Sequence, residues 1–179
     1  MNYARPPELL KPVRLRFILL TLVGALLLNL LPWQELVLWF RPDFVALVLL
    51  FWAIREPRKQ GIGAAWVMGL LMDIGDGAIL GQHAFAYTLA VYAAIVLHRR
   101  IRQFALWQQA SHVLLLLLLL QAAMLLIRQF AGAAFPGPGY FLACFTGAAL
   151  WPVLSVLLLL PQRGKPDPDS VYTAGKGLS

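Results

Sequence analysis

Few residues in this chain have side chains suited to chemistry, and the most conspicuous are carboxylates in apolar surroundings. Asp73 and Asp76 lie in GLLMDIGDGAIL, residues 69–80, at the end of an oily run. A carboxylate there must find hydrogen-bond donors or become protonated. Asp73 therefore has three readings: a tertiary hydrogen bond pinning one helix to another, a proton or substrate site, or a partner contact. Donors available elsewhere in the sequence are His83, Gln82, Tyr87, Arg41 and Arg128. A second charged group, Arg41-Pro42-Asp43, interrupts another apolar run. Pro42 suits the first turn of a helix, and Asp43 would face the positive end of that helix's dipole. The plain reading is a helix start with an Arg41 and Asp43 pair at the membrane interface; a partner contact is the alternative.

Enzymatic readings find little support. His83, His98 and His112 lack metal-ligand spacing, and His98 belongs to the basic HRRIRQ loop. No HExxH, GxSxG, P-loop or GxGxxG pattern occurs, and Ser155 has no evident base. Without a nucleophile and base pair, an intramembrane enzyme is the remotest class, and no metal or other cofactor is expected. The one cysteine, Cys144, rules out an intrachain disulfide and reads as a small core residue.

The elements that must position these residues are set by composition. Hydrophobic residues make up 60% of the 179 and charged residues only 13%, which indicates an all-α integral membrane protein. Six apolar segments are expected as spans: about 17–31, 36–54, 61–74, 80–97, 112–127 and 141–160. Together they form a single membrane domain, 1–160, followed by a Pro/Gly/Ser-rich tail, 161–179, expected to be disordered and cytoplasmic. Several segments fall short of the roughly 20 residues of a perpendicular span, and the second, interrupted by Arg41-Pro42-Asp43, has Pro42 as an alternative start. The first apolar segment ends in Pro32, Trp33 and Gln34 without a small-residue cleavage site, so it is read as a retained span.

Alternating the loops places 13 of the 15 basic residues on one side, leaving Arg41 and Arg128 on the other. By the positive-inside rule both termini are cytoplasmic. The net charge of +7 then reflects topology, and no basic face for nucleic acid is implied. Counted from Gly61, Asp73 lies about 18 Å along its helix, in the outer half of the bilayer. Gly69 shares its face and would admit a neighbouring helix closely. Gly75, Gly77 and Gly81 form a flexible exit in which Asp76 caps the turn or meets water. Trp33, Trp39, Trp107, Tyr140 and Trp151 are read as interfacial belts, and the run Leu114 to Leu120 as partly lipid-facing.

The stretch from residue 41 to 92 resembles the rod shape-determining protein MreD family. Its carriers are Arg41, Pro42 and Asp43; the REPRKQ loop; Gly69 and Asp73; and Leu80 with Gly81. The likeness is specific over about 50 residues and elsewhere rests on hydropathy and length. It implies a scaffold in the bacterial inner membrane, supporting cell shape and peptidoglycan synthesis. Its partners would be MreC, a single-span protein, and through it the MreB filament and wall-synthesis enzymes. It also implies a fold similar to the substrate-binding subunits of energy-coupling-factor transporters, leaving open a lipid or small-ligand pocket. The competing function is therefore a transporter or ligand-binding subunit, with a cavity lined by Asp73, Asn29, His83 and Tyr87. An enclosed cavity containing Asp73 would favour ligand binding; an apolar groove open to lipid would favour the scaffold.

Overall fold

Leucine and the other long apolar side chains lose little rotamer freedom in a helix, and a backbone in lipid must satisfy its own polar groups. The computed structural model describes residues 14–32, 40–59 and 61–162. Among them are six α-helices and no strand: α1 (Leu15–Leu30), α2 (Phe44–Arg55), α3 (Ile62–Gly75), α4 (Gln82–Ile101), α5 (Leu106–Phe130) and α6 (Leu142–Leu159). Short 3-10 turns at Pro138–Phe141 and Leu160–Gln162 flank α6. The tail from 163 onward lies outside the described residues, as do Arg5, Lys11, Trp33 and Trp39.

Two stretches, Leu106–Phe130 and Gly139–Gln162, are long and apolar enough to cross a membrane; α1, α2 and α3 are shorter apolar helices. The shortest, α2, is also the most enclosed. Every residue from Val45 to Ile54 is buried, at most 4% exposed, because α1, α4 and α6 pack around it. A helix of about 18 Å that never meets lipid has no hydrophobic thickness to match, so its length is set by its neighbours. The segment expected from residue 36 is not helical at residues 40–43. Pro42 lacks an N–H and Asp43 caps from outside the helix, so α2 begins at Phe44 and Pro42 falls one residue before the cap.

The outer helices show one buried stripe each. In α1, Ile18, Leu22, Ala25 and Asn29 face inward, while Leu20, Val23 and Leu27 face out. The leucine run of α5 divides similarly, with Leu116, Leu117 and Leu120 buried and Leu115 and Leu119 exposed. Outward faces as apolar as the interior are what lipid contact demands. Trp151 departs from the belt expectation: it is 1% exposed, in the middle of α6. Its ring meets Phe51 at 6.1 Å, and Phe51 meets Trp52 edge-on at 5.0 Å. Nearness to a span end in sequence therefore did not place this indole at the interface.

The helices α3 and α4 cross closely because α3 offers Ala65 and Gly69 one turn apart. A Cβ on Gly69 would overlap the backbone of His83 and Ala84 in α4. Neither helix can yield without moving its neighbours. Gly69→Ala should therefore cost about 1–3 kcal/mol, read as a fall of roughly 5 °C in the thermal midpoint followed by circular dichroism in detergent. Gly24→Ala, where a Cβ meets nothing within 4 Å, should leave the midpoint unchanged or slightly raised.

Candidate functional site

Four chain segments bring polar groups to one end of the bundle: the last turn of α1, the first turns of α2 and α4, and the last turn of α3. At the start of α2, the Asp43 side chain accepts the Ala46 N–H at 3.0 Å, an ordinary N-cap. Its oxygens also accept Asn29 Nδ2 at 2.8 Å and the Tyr87 hydroxyl at 2.6 Å. Asn29 returns the link by accepting the Phe44 N–H on Oδ1 at 3.0 Å. Arg41 does not form the expected ion pair with Asp43. Its Nη1 donates instead to the Asn29 carbonyl at 2.7 Å, capping the free C-terminal end of α1. Asn29, Arg41, Asp43 and Tyr87 thus tie α1, α2 and α4 into one network.

Asp73 forms a second network beside it. It is 1% exposed, and its Oδ2 accepts the Gly81 N–H at 2.7 Å while Oδ1 accepts the His83 N–H at 2.8 Å. These are N-terminal amides of α4, so a carboxylate on α3 caps the next helix. Gly81 cannot do this itself, having no side chain. Its φ of +95° is strained for any other residue. The same Asp73 Oδ1 also lies 2.8 Å from His83 Nδ1, so that nitrogen carries the proton. His83 Nε2 is left 4.0 Å from Asp76 Oδ2. On the backbone side, the Asp73 carbonyl takes the Ala78 N–H at 3.0 Å across the left-handed Gly77. One residue therefore closes α3, shapes the turn and starts α4. Of the donors proposed from sequence, His83 reaches Asp73, whereas Tyr87 and Arg41 serve the neighbouring network.

Below these networks lies a cavity of about 920 Å³. Asn29, Arg41, Asp43, Asp76, His83 and Arg128 line it on its polar side. The expected pocket residues separate here: Asn29 and His83 face this space, whereas Asp73 and Tyr87 do not. Both are committed to internal hydrogen bonds. Sequence reasoning missed Gln121, whose Nε2 donates to the Tyr140 carbonyl at 2.6 Å and whose Oε1 accepts from Cys144 Sγ. It joins α5 to the start of α6 at the cavity wall. A signal existed, since Gln121 is the lone polar residue between His112 and Arg128.

Comparison with known proteins gives one consistent result. The family model described as rod shape-determining protein MreD matches residues 12–160. The rod shape-determining protein MreD of Haemophilus influenzae is 30% identical over 136 residues, covering 76% of this chain and 84% of that protein. No solved structure matches.

The geometry makes Asp73 sensitive to loss of either oxygen's acceptor capacity. Asp73→Asn should cost about 2–4 kcal/mol, because its amide NH2 would confront a backbone N–H and leave that donor unsatisfied. Asp76→Asn, at an exposed turn, should stay within about 0.5 kcal/mol. Denaturant unfolding of the two variants in matched detergent checks the contrast.

Proposed function

This chain belongs to the rod shape-determining protein MreD family, and on that premise we propose that it is a membrane scaffold of the bacterial cell-elongation complex. The match over residues 12–160 carries this reading. As a family member it is a membrane protein with a role in determining rod shape. Beyond that, we read it as binding an MreC-like single-span protein and, through it, linking to MreB and the wall-synthesis enzymes. The outward apolar faces of α1 and α6, with Leu20, Val23, Phe145 and Leu157 exposed, support a role in which helices meet other helices within lipid.

We further propose that all six helices cross the bacterial inner membrane, with both termini cytoplasmic. The distribution of charge supports this: Arg14 and Arg16 stand at the start of α1, Arg55 ends α2 with Arg58 and Lys59 after it, and Arg99, Arg100 and Arg102 close α4. These positions are at the opposite helix ends from the cavity, where Arg41 and Arg128 lie. A kinship with the substrate-binding subunits of energy-coupling-factor transporters belongs to the same proposal, supported by six helices and a cavity at one end.

In this reading Arg41, Asp43 and Asp73 act by building the docking end of the bundle, since their polar atoms are turned into internal hydrogen bonds. Removing the chain from its native host should convert rods to rounded cells, and restoring it should recover both shape and co-purification of a single-span membrane partner. Cells that keep their rod shape without it would refute the scaffold role; full rescue without a co-purifying partner would refute docking.

A further inference from the structure

We propose that the cavity binds a phosphate-bearing amphiphile, with the phosphate held between Arg41 and Arg128. Both arginines line this one space, and neither has a carboxylate within ion-pair distance among the described residues. Arg41 spends one nitrogen on the Asn29 carbonyl, leaving other donors of its planar fork free. Two cations near a membrane without a direct ion pair leave donors open to an anion, and guanidinium groups suit phosphate oxygens in geometry and charge.

The carboxylates on the same wall do not pair with either arginine: Asp43 accepts its three hydrogen bonds from other groups, and Asp76 Oδ2 lies 4.0 Å from His83 Nε2. Ile79, Leu117, Leu120 and Met124 give the cavity an apolar part, with Gln82 and Gln121 also in its lining. A charged end beside an apolar wall selects an amphiphile over a small polar ion. The volume, about 920 Å³, suits a headgroup with the first part of its chains, and basic pockets between membrane helices recognise such headgroups. The inference needs only the cavity and holds whether or not the scaffold reading does.

The test uses the purified full chain in detergent, with bound molecules scored by native mass spectrometry. Phosphatidylglycerol, inorganic phosphate and diacylglycerol are offered separately. One phosphatidylglycerol should be retained per chain. Arg128→Gln should weaken retention about tenfold or more, the loss expected for one hydrogen bond between charged groups. Arg16→Gln, exposed near the other end of α1, should leave retention unchanged. The Arg128 side chain makes no hydrogen bond among the described residues, and its carbonyl bond to the Ala133 N–H survives substitution, so its variant separates binding from folding. Arg41→Gln, which also loses the Asn29 contact, serves as a second variant. If inorganic phosphate alone binds with the same dependence on Arg128, the anion site stands and its occupant is free phosphate. Diacylglycerol retained as well as phosphatidylglycerol, or phosphatidylglycerol retained equally by Arg128→Gln, overturns the proposal.

Discussion

A carboxylate withdrawn from water has to find donors, and one end of this bundle is organised by two acids that do, the buried Asp73 and the half-buried Asp43. Asp43 caps its own helix and Asp73 caps the helix that follows its own. Each sits where a helix dipole favours negative charge and where backbone N–H groups have no partner within the helix. The cost of burying the acid and the cost of burying a bare helix end offset each other. That compensation lets short helices begin inside the protein.

Much of the remaining architecture follows from holding those two ends. With Asp73 fixed on Gly81 and His83, α4 has to return along α3, and Gly69 removes the side chain that would keep the two apart. With Asp43 fixed by Asn29 and Tyr87, the enclosed α2 is tied to α1 on one side and α4 on the other. The Asn29 amide also approaches Met72 Sδ at 3.8 Å, so the two networks abut. The open space beside them is bounded by α5 and the turn before α6, which Gln121 joins. A membrane protein has little water-driven hydrophobic force between its helices. Directional hydrogen bonds at one end and close packing of small residues along α3 and α4 can fix an arrangement that apolar contact alone would leave loose.

Much of this was legible in the residues, though unevenly. Hydropathy located the apolar segments, and Gly69 with Asp73 announced a close helix contact carrying an acid. The identity of Asp73's donors was only partly legible, because backbone N–H groups carry no letter in a sequence; His83 was visible as a candidate and the Gly81 amide was not. Arg41 and Asp43 invited pairing by proximity, yet adjacent residues around a proline point in different directions. Arg41 turned to the end of α1. The bond between Tyr87 and Asp43 spans 44 positions and exists only once α2 and α4 pack. Trp151 shows the same limit, since it is buried against Phe51, a neighbour that sequence order keeps distant.

The central claim is that Asp73 holds the start of α4 from a different helix, and amide hydrogen exchange at individual residues tests it most directly. In the unmodified protein the Gly81 and His83 amides should exchange slowly. In Asp73→Asn those two should accelerate by about tenfold or more, as a lost hydrogen bond near 1.4 kcal/mol requires, while Phe44 and Ala46 in the Asp43 network keep their protection. Unchanged exchange at Gly81 and His83, or an equal rise across every helix, would contradict the account.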